Sequence, residues 1–130
     1  MSGREGLVYG VGALRAAARG ERILWALHRA ALSYGFVPVV TVGAVADAYR
    51  TEHRGDRLDA FVIGTEVEPL DREAAQRIGE LAARAGTGDL VAVSTAEVAA
   101  RRNAAVVSTR QPALRTAANL LGHELVLYGV

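Results

Sequence analysis

The side chains able to do chemistry in this 130-residue chain are few, and their types narrow the choices at once. There are five aspartates (Asp47, Asp56, Asp59, Asp71 and Asp89), three histidines and no cysteine. Without cysteine there is no disulfide scaffold, thiolate zinc site, iron–sulfur cluster or thiol nucleophile. His28, His53 and His123 are far apart and show no i, i+4 pairing, so no histidine-based metal site is expected. Ser94, Ser108 and Thr109 have no histidine or lysine close in sequence to activate them, which leaves nucleophilic catalysis little support. Carboxylates remain. Grouped at one place they hold a hard divalent cation; spread over helix starts they are caps. Gly10-Val11-Gly12 lacks the third glycine of a dinucleotide-binding loop and reads as a turn.

The bland readings are specific. Asp71 and Asp89 stand where helix N-caps belong, and Asp56 and Asp59 also lie at a helix start. Asp47 can pair with Arg50 or Arg54. All fifteen cations are arginine, and against fourteen acids they leave a net charge of +1, so no strong field commits the chain to nucleic acid or anionic lipid. The pairs Arg54/Arg57 and Arg101/Arg102 read as solvated helix ends, with RNA phosphates as the sharper alternative. Trp25, Tyr34, Tyr49 and Tyr128 could stack on bases, but core or interface positions fit them better. The opening MSGREGLVYG lacks the apolar centre of a signal peptide, and no run approaches the roughly 20 apolar residues of a membrane span. The expectation is a cytoplasmic protein without membrane contact.

The elements that must position these residues alternate. With 51% apolar and 22% charged residues, the chain has the composition of one globular domain spanning residues 1–130. Strands are expected at Leu7–Tyr9, Val37–Val42, Val67–Leu70, Ala104–Ser108 and Glu124–Tyr128. Helices are expected at Ala13–Ala18, Glu21–Tyr34, Ala44–His53, Arg54–Phe61, Arg72–Ala85, Asp89–Arg102 and Gln111–Leu121. In the second helix Ile23, Leu24, Leu27, Ala30 and Ala31 form the apolar stripe; in the fifth, Ala75, Ile78, Leu81 and Ala82 do. Gly35, Gly86 and Gly122 stand where C-caps belong. This alternation predicts a three-layer α/β/α sandwich around a mainly parallel sheet of about five strands. Sites in such sheets lie beyond the carboxyl ends of the strands.

The segments LVYGVGALRAAARGER, VVTVGAVADAYR and RAGTGDLVAVSTAEVAARRNAAVVSTRQPALRTAA, in this order and at this spacing, resemble the PIN domain. More narrowly they resemble the VapC-like toxins of bacterial toxin–antitoxin pairs. Active members of that family are magnesium- or manganese-dependent ribonucleases. Their three or four carboxylates converge at the strand ends, where the bound cation activates water and clamps the phosphate. Carried onto this sequence, the family's first acid, which ends the first strand, falls on Gly10 in VYG. The second, usually Glu, falls on Asp47. The third heads the long helix ending in Ala-Ala-Arg-Arg and falls on Ala92, while a neighbour three residues earlier is kept as Asp89. The fourth follows Ser-Thr and falls on Arg110.

Three of the four metal positions are therefore lost, and the resemblance implies an enzyme fold that has lost its enzyme. Asp47 and Asp89 would be vestigial metal ligands. Arg110 is expected within salt-bridge range of one of them, because acids buried without a cation are costly. The expected role is a binding or structural module with no cofactor. Its candidate partners are a second copy (family members commonly pair as homodimers), an antitoxin-like protein, or RNA held without cleavage. The alternatives are an active ribonuclease using magnesium or manganese at a reduced site of Asp47, Asp89 and Glu97, and a regulatory domain holding a small anion at Arg110.

Overall fold

The structure, a computed structural model, describes residues 6–52 and 55–130. Twelve elements follow one another: β1 (Leu7–Tyr9), α1 (Val11–Ala18), α2 (Arg22–Ser33), β2 (Val39–Thr41), α3 (Val42–Thr51), α4 (Asp56–Ile63), β3 (Glu66–Glu68), α5 (Arg72–Ala85), α6 (Leu90–Arg102), β4 (Ala105–Ser108), α7 (Pro112–Leu120) and β5 (Leu127–Gly129). The strands form one sheet in the order β3-β2-β1-β4-β5, and every neighbouring pair is parallel. The fold is thus the expected α/β sandwich, with the sheet wholly rather than mainly parallel.

Alternation along the strands explains the two cores. Val8, Val39 and Val106 point to one face and pack with α5, α6 and α7 through Ile78, Val93 and Leu114. Tyr9, Val40 and Val107 point to the other and pack with α1, α2, α3 and α4 through Leu14, Leu58 and Phe61. A sheet buried on both faces needs continuous apolar strands, which is why β1, β2 and β4 read as unbroken runs.

Local signals set most boundaries. Asp71 Oδ1 accepts from the Ala74 amide at 2.8 Å and Asp89 Oδ1 from the Ala92 amide at 3.1 Å, so both expected caps form. Asp56 and Asp59 lie in the first turn of α4. Gly35, Gly86 and Gly122 take positive φ after their helices.

Several expectations shift, among them β3, which ends at Glu68 rather than Leu70, and β5, which starts at Leu127 rather than Glu124. Val11 and Gly12 belong to the first turn of α1 rather than to a turn before it. β2 stops at Thr41, because the Thr41 hydroxyl accepts from the Ala44 amide and starts α3 at Val42. The stripes hold at Leu24, Ala31, Ile78, Leu81 and Ala82 but narrow at their edges: Ile23 is 88% exposed and Ala30 and Ala75 are exposed, while His28 and Ala74 are buried. The ends Arg54 and His53 lie outside the described residues. Among the described residues, no helix is long and apolar enough to cross a membrane.

Truncating the fully buried Leu114 to Ala is expected to cost about 2–5 kcal/mol in urea unfolding. Removing the Asp71 cap with Asp71→Ala should cost about 1 kcal/mol.

Candidate functional site

The ends of β1 and β2 lead into α1 and α3, and with α6, which follows α5, these helices hold most of the positions singled out in the sequence. Gly10 ends β1 and caps α1; its amide donates to the Val107 carbonyl at 2.9 Å, tying the start of α1 to the end of β4. The approach leaves no space for a side chain. A Cβ on Gly10 would lie 2.4 Å from Ser108 Oγ and 2.6 Å from Ser108 Cβ. One on Gly12 would lie 2.5 Å from Thr109 Oγ1 and 2.6 Å from the Thr109 backbone nitrogen. Ser108 is fully buried, and among the described residues its hydroxyl has no hydrogen-bond partner.

Asp47, on α3, is held from two sides. Arg15 Nη2 donates to Oδ2 at 2.9 Å and Arg50 Nε to Oδ1 at 2.8 Å. The Arg50 contact is the local pair expected from sequence. Arg15 comes from α1, 32 residues away, and nothing in the spacing pointed to it. Both Arg15 and Asp47 are partly buried, so this bond joins α1 to α3 over the strand ends. Arg110 does not take that place: it is exposed, and Asp47 and Asp89 bond to other groups among the described residues. It follows β4 at the open rim of the sheet, whereas Arg15 lies within the packed layer beside α3.

Asp89 serves α6 as its cap, through Oδ1. Ala92 is 1% exposed within the core shared by α5, α6 and α7, so an acid there would be carried into apolar surroundings. Glu97 is buried and turned to the opposite end of α6, where Arg101 Nε donates to it at 3.1 Å and Arg77 approaches at 3.7 Å. Arg101 and Arg102 also reach Glu68 of β3, and Arg102 reaches Glu66. These arginines are therefore neither solvated ends nor free for phosphate. Burial alone would raise Glu68, but the hydrogen bonds from Arg101 and Arg102 hold its carboxyl below the ordinary range.

A divalent ion at the strand ends would need several carboxylate oxygens aimed at one point. Here both Asp47 oxygens accept from guanidinium groups and Asp89 caps a helix. Among the described residues no three His, Asp or Glu side chains are grouped to hold a metal. The residues present do not fit the magnesium or manganese that the resemblance implies.

A second cluster was missed altogether. Tyr9, the residue before Gly10, is fully buried, and its hydroxyl lies 3.1 Å from His28 Nδ1. His28 packs on Phe61 with ring centroids 4.1 Å apart, and Trp25 meets Phe61 edge-on at 5.1 Å. The Trp25 indole N–H donates to the Ala17 carbonyl at 3.0 Å. Trp25 is thus a core residue rather than a stacking platform. Tyr49 bonds Asp59, whose carboxylate pushes the phenol up to about 12. Tyr34 and Tyr128 stay exposed. Burial, and then the nearby Arg29, lower the His28 pKa, so His28 is held neutral.

Compared with models of protein families, the chain matches none, and no curated protein is similar to it at a significant level.

The unfolded chain binds a proton at His28 before the folded one does. Stability is therefore expected to fall as pH drops below about 6.5, and to level off once the folded histidine also charges. Urea titrations between pH 7.5 and 5 should show this slope, and His28→Leu should flatten it. Asp47→Asn, which leaves Arg15 without its anion, should cost about 1–2 kcal/mol at neutral pH after allowance for partial exposure.

Proposed function

We propose that this chain is a PIN-like, VapC-like protein that has lost metal-dependent ribonuclease activity and works as a binding or structural module. Its partners are a second copy of itself, an antitoxin-like protein, or RNA held without cleavage. The observation that carries this reading is the closure at Gly10. The position that would bear the first metal ligand has Ser108 in the space of its Cβ. Arg15 and Arg50 complete the picture, because their guanidinium groups supply to Asp47 the positive charge that a metal would otherwise bring.

Activity in such a fold would require a divalent ion to displace two arginines from one carboxylate. It would also require a further acid to reach the same point. The alternative three-acid site of Asp47, Asp89 and Glu97 is opposed by their present partners: arginines for the first, a helix start for the second, and Arg101 with Arg77 for the third.

The test is direct. Purified protein is incubated with structured RNA and manganese beside Asp89→Ala. The expected outcome is no cleavage by either. Manganese-dependent cleavage by the wild type that disappears in Asp89→Ala overturns the proposal. Restoring the acid with Gly10→Asp is expected to destabilise the fold by about 1–3 kcal/mol through overpacking against Ser108, without producing activity.

A further inference from the structure

A cleft of about 200 Å³ lies between α5 and α6, apart from Gly10, Asp47 and Arg110. It opens beyond the carboxyl ends of β2 and β3, where Thr41 and Glu68 line it. Open parallel sheets hold their ligands at that end. The inner wall is apolar and buried, with Ile78 from α5 and Val98 from α6. The outer edge stays open, with Leu70 55% and Leu90 53% exposed.

Small residues keep the entrance wide. Gly79 stands in the middle of α5, where glycine weakens a helix relative to alanine. A Cβ there would meet no atom within 4 Å, so no close packing calls for the glycine. Ala75, one turn earlier, also lines the cleft and is exposed.

The polar wall narrows the chemistry of an occupant. Both oxygens of the buried Glu97 accept from Arg101, and Glu68 accepts from Arg101 and Arg102. Arg101 donates through Nε and Nη2, whereas its Nη1 makes no hydrogen bond among the described residues. Two N–H donors therefore remain to Arg101 on the cleft that it lines. An anion there would meet the two carboxylates that already share Arg101. A cation would compete with Arg101 and Arg77 for those carboxylates. A neutral acceptor such as a carbonyl oxygen meets neither penalty. An apolar cavity of roughly 150 Å³ takes one benzene ring, so this cleft has room for a ring and a short substituent.

We propose that the cleft binds a small neutral molecule with a ring-sized apolar body and one carbonyl-type acceptor. The body lies between Ile78 and Val98, and the acceptor is turned toward Arg101. The site needs no second protein chain and is independent of whether nuclease activity has been lost.

Acetophenone is the probe, titrated into the isotopically labelled full chain while the amide spectrum is followed. Saturable shifts centred on residues 68–70, 74–79 and 90–101 are expected, with a Kd below about 1 mM. Ethylbenzene, which has the same outline without the acceptor, should bind about threefold weaker or more. Benzoate should bind about tenfold weaker or more, because its charge is carried next to Glu68 and Glu97. The double variant Ala75→Leu, Gly79→Leu fills the entrance with good helix formers. It should weaken acetophenone about tenfold or more with an unchanged circular dichroism spectrum. Ile23→Ser, on the other side of the sheet, should leave the affinity unchanged. Absence of saturable shifts overturns the proposal, as do shifts centred on residues 22–27 and 127–130. So does ethylbenzene or benzoate binding as tightly as acetophenone, or a double variant that binds like the wild type. Shifts of the cleft residues on dilution without the probe would show a second copy seated there and overturn it too.

Discussion

The start of α1 lies so close to the end of β4 that neither Gly10 nor Gly12 can carry a side chain. Much of the strand-end architecture follows from this contact. With Gly10 tied to Val107 and Gly12 against Thr109, α1 sits low over the sheet and brings Arg15 against α3. The Asp47 carboxylate then has a guanidinium on each oxygen. An acidic pocket would need the reverse: a Cβ and carboxylate at the end of β1, and an Asp47 free of cations. Steric closure at one residue and charge neutralisation at another act toward the same result.

Beside this contact, where the buried Ser108 hydroxyl lacks a partner among the described residues, the neighbouring polar groups of the core are paired. Tyr9 precedes the closed position, and its hydroxyl meets a histidine kept neutral by burial. Trp25 and Phe61 enclose that pair. At the far side of the sheet, charge is handled differently: Arg101 and Arg102 of α6 hold Glu66 and Glu68 of β3, and Glu97 of α6 meets Arg101 and Arg77 of α5. Charge pairing thus joins α1 to α3 at one place and β3 to α6 at another.

What was legible in the sequence was what depends on near neighbours. The order of strands and helices, the caps Asp71 and Asp89 and the glycine stops at 86 and 122 all rest on contacts within four residues. The layered fold follows from the alternation. Most stripe residues were placed correctly (Leu24, Ala31, Ile78, Leu81 and Ala82 are buried), while Ile23, Ala30 and Ala75, at the margins of their stripes, are exposed and Ala74 is buried instead. The site was less legible. Arg15 to Asp47 spans 32 residues and Arg102 to Glu66 spans 36; no spacing rule connects such pairs. Arg110 was chosen as the counter-ion for its place after β4, but the packing of α1 gave that role to Arg15. The glycine at position 10 was visible, whereas the serine that fills its space was not.

Whether the guanidinium groups on Asp47 and the closure at Gly10 keep a divalent ion from the strand ends is read by paramagnetic broadening. Manganese is titrated into isotopically labelled protein while the backbone amide spectrum is followed. No site-selective broadening of the amides of residues 10–14, 44–48 and 89–93 is expected at metal concentrations that saturate ordinary carboxylate sites. Selective loss of those three groups of signals, restored by a chelator, would contradict it.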